Sequence, residues 1–105
     1  MKANELRIGN WVRYHHNGGF IDAQIFHLTD EDINVLPIPL SPEIIEKCGF
    51  EDEYGNGRYY FDGLEYYDGK LWFRTSEIKI QYLHQFQNLY FALTGEELEV
   101  NLTFV

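Results

Sequence analysis

The residues able to do chemistry are few in this sequence. Cys48 is the single thiol. A nucleophilic cysteine needs its thiolate stabilised by a helix N-terminus or neighbouring cations. Cys48 follows Glu46 and Lys47 near the end of a short helical stretch, the wrong end of the dipole, so a buried core position is expected. Four histidines raise the question of metal binding. His15 and His16 are adjacent on a predicted strand and point to opposite faces. His27 and His84 lie far apart, and neither an HExxH pattern nor paired-cysteine spacing occurs. Asp30, Asp32 and Asn34 match the first positions of a calcium loop, but Val35 stands where glycine is required and Ser41 where the closing glutamate would be. Gly55-Asn56-Gly57 lacks the rest of a dinucleotide fingerprint. Ser76-Glu77-Ile78-Lys79 matches S-x-x-K without its companion motifs. Asp62, Glu65 and Asp68 are clustered carboxylates, two of them with a sufficient role in turns. No nucleophile, base and orienting group assemble. The expectation is a non-catalytic protein with no metal and no cofactor.

What remains is a recognition surface. Arg58, Tyr60, Tyr67, Lys70, Trp72 and Arg74 interleave aromatics with cations. Such a set resembles either a stacking platform for single strands or a protein-binding hot spot. Trp11, Arg13 and Phe20 form a smaller set of the same kind. The alternative is that the meander face carrying the first set is covered by the 82–94 helix.

The elements that position these residues follow from local signals. Trp11–His16 and Gly19–Leu28 read as strands joined through Asn17-Gly18, a pair suited to a type I′ turn. That turn puts Val12, Tyr14, Ile21, Ala23 and Ile25 on one core-like face. Trp11, Arg13, His15, Phe20, Asp22 and Gln24 fall on the other, with Arg13 opposite Asp22. Ile33–Leu36 is a possible third short strand. Pro37 and Pro39 exclude a central strand there. Ser41 caps a helix whose first residue is Pro42 and whose stop is Gly49. Ile44, Ile45 and Cys48 are on its inner face. RYYF-DG-LEYY-DG-KLWF specifies a three-stranded meander, with Tyr59, Phe61, Leu64, Tyr66, Leu71 and Phe73 on the apolar face. Glu77–Gln81 alternates and suggests a strand, although Ser76 could instead cap a longer helix. From Tyr82 to Thr94 the period is helical and Gly95 ends it, with Tyr82, Leu83, Phe86, Leu89, Tyr90 and Leu93 in one stripe. Its outer face holds His84, Gln87, Asn88 and Phe91, and no formal charge occurs between Lys79 and Glu96. That helix is therefore either covered on both sides or used in self-association. Leu98–Val105 alternates as a closing strand.

The whole chain fits this reading. Its 105 residues hold 8 Lys and Arg against 17 Asp and Glu, a net charge of −9, with 8 Phe, 8 Tyr and 2 Trp. The length suits a single domain spanning 1–105. The charge disfavours nucleic acid, although a single-strand binder or an acidic DNA mimic is the alternative from that class. A lone cysteine, no apolar run of membrane-spanning length and an opening without a signal-like apolar core indicate a cytoplasmic setting and no membrane partner. The Asn101-Leu102-Thr103 sequon has no role there. The expected architecture is α+β. A mostly antiparallel sheet of N-terminal hairpin, meander and C-terminal strand packs on the 82–94 helix, with the 42–48 helix as a smaller cover.

NELRIGNWV at 4–12, PIPLSPEIIEKCGF at 37–50 and LHQFQNLYFALTGEELEV at 83–100, about 41 residues together, resemble a family of small acidic proteins from anaerobic gut bacteria and their prophages or mobile elements. The resemblance implies a bacterial cytoplasmic setting and an accessory interaction or regulatory role, with an unknown protein partner or self-association. It implies no catalytic residues. LRIGNWVRY with FIDAQIFHL and INVLPI is similar in pattern to the opening strands of SH3-like or Tudor-like barrels, which bind partners through aromatic clefts.

Overall fold

A computed structural model describes residues 5–25, 35–61, 63–74 and 76–102. It is an α+β structure containing two antiparallel sheets and two helices. Two compact units make it up. One comprises residues 1–39 with 82–97, and the other 40–81 with 98–105.

In the first unit, β1 (Trp11–His16) and β2 (Gly19–Gln24) form a two-stranded sheet of their own. Asn17 and Gly18 take φ of 48° and 80°, the two left-handed positions of a type I′ turn. The register follows directly, with Val12 opposite Ala23 and Arg13 opposite Asp22. Pairing continues past the strands, because Gly9 N donates to Ile25 O and Ile25 N to Asn10 O. Arg13 and Leu36 exchange two backbone hydrogen bonds, so residue 36 does approach β1. The rest of that expected third strand at 33–34, and 26–28 of the second, lie outside the described residues, as do His27 and the carboxylates of the rejected calcium loop. Leu6, Val12, Ile25 and Val35 form the buried cluster, with Tyr14 against it. Ile21, expected in the core, is exposed, as is Phe20. The end of the hairpin thus presents apolar side chains on both faces.

The main helix of this unit, α2 (Leu83–Thr94), starts after Tyr82, whose backbone N–H donates to the Gln85 side chain at 3.1 Å. Gly95 ends it at φ 75°, donating to Phe91 O. Leu83, Phe86 and Tyr90 are buried. Leu93, placed on the apolar stripe by its period, is exposed in the last turn.

The second unit opens with α1 (Pro42–Lys47), capped by the Ser41 hydroxyl accepting from Ile44 N. Ile45 and Cys48 are buried and Phe50 returns beneath them, its ring 5.4 Å from that of Phe61. Gly49 has φ 95°, a left-handed backbone that favours glycine, and a Cβ there would crowd the Phe61 ring at 3.3 Å. β3 (Tyr59–Phe61), β4 (Leu64–Tyr67), β5 (Lys70–Phe73) and β6 (Ser76–Ile78) form a four-stranded antiparallel sheet in sequence order. Phe61 pairs with Leu64 and Tyr67 with Lys70, as the Asp-Gly pairs dictate. Asp62 itself lies outside the described residues. Serine 76 begins a strand and not a helix, because Phe73 pairs with Ser76 across a two-residue connection. Arg74 takes φ 59° in that connection, a left-handed position costing a non-glycine residue about 1 kcal/mol.

Two expectations are corrected. The hairpin and the meander form separate sheets, with no ladder between β1–β2 and β3–β6 among the described residues. The closing strand is absent among the described residues, where 98–102 are irregular and Asn101 N donates to Lys47 O. Alternation alone does not make a strand without ladder pairing to a neighbour. No helix among the described residues is long and apolar enough to cross a membrane.

Candidate functional site: an aromatic sheet face and a histidine recess

The outer face of the four-stranded sheet holds most of the expected contact residues. Opposed residues of antiparallel strands project to the same side. Tyr60 pairs with Glu65, Glu65 with Trp72, and Trp72 with Glu77. Glu51 joins the same row through a bridge to Tyr60, with backbone hydrogen bonds of 3.2 and 3.0 Å. The row therefore alternates carboxylate and aromatic from edge to edge. Tyr60 is 41% exposed and Tyr67 39%, while Trp72 is half-buried. This face meets solvent.

Its cations are engaged on the spot. Arg58 Nη1 donates to Glu65 Oε1 at 2.9 Å, and the guanidinium lies 4.2 Å from the centre of the Tyr67 ring. The hydrogen bond to Glu65 holds Arg58 above its ordinary pKa. Lys70 reaches Glu77 at 3.8 Å. Arg74 stands at the edge of the set. From its left-handed turn its guanidinium lies over the Phe73 ring at 5.4 Å, and Phe73 belongs to the opposite face. A recess of about 270 Å³ beside the first turn is lined by Tyr60, Phe61, Gly63, Leu64, Glu65 and Arg74. The contributions of Glu51 and Glu77 were missed from sequence. The alternation of 77–81 hinted at a strand, but nothing local said which strand it would join.

The hairpin trio belongs to the other unit. Arg13 is held by Asp22 through Nε at 2.8 Å and Nη2 at 3.3 Å, and that hydrogen bond raises its pKa. Trp11 is half-buried. Phe20 is exposed with its ring 4.8 Å from that of His15.

The proposed self-association face of α2 is corrected. His84 is 5% exposed and Gln87 1%, so neither is available to a second copy. Gln87 Oε1 accepts from Trp11 N at 2.7 Å, and its Nε2 donates to Gly9 O at 3.1 Å. Asn88 Oδ1 accepts from Arg7 Nε at 2.8 Å and from Asn10 Nδ2 at 2.9 Å. Arg7 also pairs with Glu97 at 2.7 Å and covers the Phe91 ring at 4.5 Å. The helix lacks charge because residues 5–11 lie along it and present backbone groups that neutral amides satisfy. Phe91 alone of the four is exposed.

Cys48 is sealed, and burial pushes its thiol up to about 12, far from a reactive thiolate. Burial likewise raises Tyr66, and it raises Tyr59, with the nearby Glu46 carboxylate acting in the same direction. No cluster of three His, Cys, Asp or Glu that could hold a metal ion occurs among the described residues. A second recess, about 510 Å³, belongs to the first unit and lies at the start of α2. Val35, Leu36 and Pro37 supply its apolar lining, with Glu5, Tyr82, His84 and Gln85 completing it. The Tyr82 and His84 rings are nearly parallel, 6.0 Å apart. His84 Nδ1 is buried with no hydrogen-bond partner. Burial lowers the His84 pKa, opposed by the weaker pull of Glu5. Cys48 does not line this recess, so thiol, imidazole and carboxylate do not converge in it.

Compared with known protein families, with characterised proteins and with solved structures, the chain matches none of them.

Proposed function

We propose that this chain is a non-catalytic protein-interaction module, of the accessory or regulatory kind carried by bacterial mobile elements, and that the outer face of β3–β6 is its contact surface. One observation carries the reading. Tyr60 and Tyr67 stand exposed on a rigid sheet beside Trp72, with Arg58 and Lys70 already neutralised by Glu65 and Glu77. Exposed tyrosines on a preordered scaffold supply contact area at low entropic cost. The neutralised cations separate this reading from single-strand binding. A phosphate would have to displace Glu65 from Arg58 and approach a chain of net charge −9.

The test compares wild type with a Tyr60→Ala/Tyr67→Ala double variant and a Lys79→Ala control. Each serves as bait in quantitative affinity capture from a bacterial host, and each is titrated with a labelled single-stranded oligonucleotide. A stoichiometric protein partner, lost at least ~10-fold in the double variant and retained by the control, is the expected result. Capture indifferent to the two tyrosines, or micromolar oligonucleotide binding at about 0.15 M salt, would overturn it.

A further inference from the structure

The recess at the start of α2 lies apart from the sheet face used above, and its chemistry is specific. At about 510 Å³ it falls in the range of small-molecule pockets, roughly 300–1,000 Å³. Its walls pair an apolar side, Val35 to Pro37, with two flat rings, Tyr82 and His84, fixed where the chain enters the helix. The imidazole dictates the polarity of a ligand. A neutral histidine carries one N–H, and an orphaned buried N–H is less tolerable than an orphaned acceptor. Because Nδ1 is the sealed nitrogen without a partner, the proton belongs on Nε2. His84 therefore offers the recess a donor. Glu5, across the same wall, disfavours an anion. An ammonium would find Glu5 but no acceptor on His84 unless the proton moved to the sealed Nδ1, whereas an uncharged acceptor uses the His84 donor and asks nothing of the carboxylate. These conditions favour an uncharged acceptor.

We propose that this recess binds a small, flat, uncharged molecule bearing a carbonyl-type acceptor, whose oxygen meets the Nε2–H of His84 while its ring packs on Val35, Leu36 and Pro37.

Three probes share one ring and differ in the polar group: benzamide, benzoate and benzylamine. Each is titrated into ¹⁵N-labelled protein, reading backbone amides. Benzamide is expected to shift Leu36, His84 and Gln85 saturably, with Kd on the order of 1 mM. Benzoate should bind ~10-fold more weakly and recover towards benzamide in Glu5→Gln, an exposed position whose change does not threaten folding. His84→Phe keeps a ring without the donor and should weaken benzamide ~10-fold. Absence of saturable shifts at about 10 mM benzamide, benzylamine or benzoate binding as tightly as benzamide, or a Glu5→Gln variant that leaves the benzoate-to-benzamide ratio unchanged would overturn the proposal.

Discussion

Protonating His84 would place a charge on a buried ring whose Nδ1 has no partner. Burial holds its pKa below the ordinary 6.5, so the unfolded chain binds the proton more tightly than the folded one. Stability then rises with pH wherever the unfolded state carries the extra proton. The contribution is fully present above the unfolded value and is lost as pH falls from 6.5 towards the folded value. Urea denaturation at pH 7.5 and pH 5.5 should therefore show a lower midpoint at the lower pH. In His84→Gln, which has nothing to titrate there, the gap between the two midpoints should shrink. An unchanged gap would place the acid sensitivity elsewhere.

At the scale of elements, α2 departs most from its sequence reading. A helix face of His, Gln, Asn and Phe without charge reads equally as buried or as sticky. The decision came from the 5–11 segment, whose Gly9 carbonyl and Trp11 N–H need partners and find both on Gln87. Gln87→Ala leaves the Trp11 N–H without its partner, while Gly9 O still accepts from Gln24 Nε2, and should cost about 1–3 kcal/mol, read as a shift in chemical denaturation midpoint. Phe91→Ala, on an exposed ring under Arg7, should cost about 1 kcal/mol or less in the same assay. If the two variants are equal, the amide network is not what fastens the helix. The hairpin and the meander contrast with this. Their registers are set by residues in direct sequence contact, Asn17-Gly18 and Asp68-Gly69, and both were legible in advance. What alternation left unread was coverage, which is why Ile21 reads as core and stands exposed.

The molecule as a whole carries a net charge of −9, yet among the described residues four ion pairs form, at Arg7–Glu97, Arg13–Asp22, Arg58–Glu65 and Lys70–Glu77. Salt acts on these in opposite directions. It screens the long-range repulsion among the excess carboxylates and weakens the exposed pairs. Exposed pairs contribute little, about 0–1 kcal/mol each, whereas net self-repulsion opposes the compact state throughout. Raising NaCl from about 10 mM to about 150 mM shortens the screening length from about 30 Å to about 8 Å. The melting temperature should rise over that range. A fall would mean that the ion pairs outweigh the repulsion.

The sequence by itself determined the α+β class, the two helices and their stops, the hairpin and meander registers, and the inert character of Cys48. Each depends on turn chemistry, caps or periodicity among near neighbours, where a few residues specify the backbone. The tertiary structure decided which faces meet solvent. It buried His84 and Gln87, exposed Tyr60 and Tyr67, and interleaved Glu51 and Glu77 with the aromatics. Exposure is a property of what packs against a residue. For Gln87 that partner lies 76 residues away in the chain, a distance at which no local pattern carries information. The recess at His84 has the same origin, its walls coming from residue 5, residues 35–37 and the start of α2.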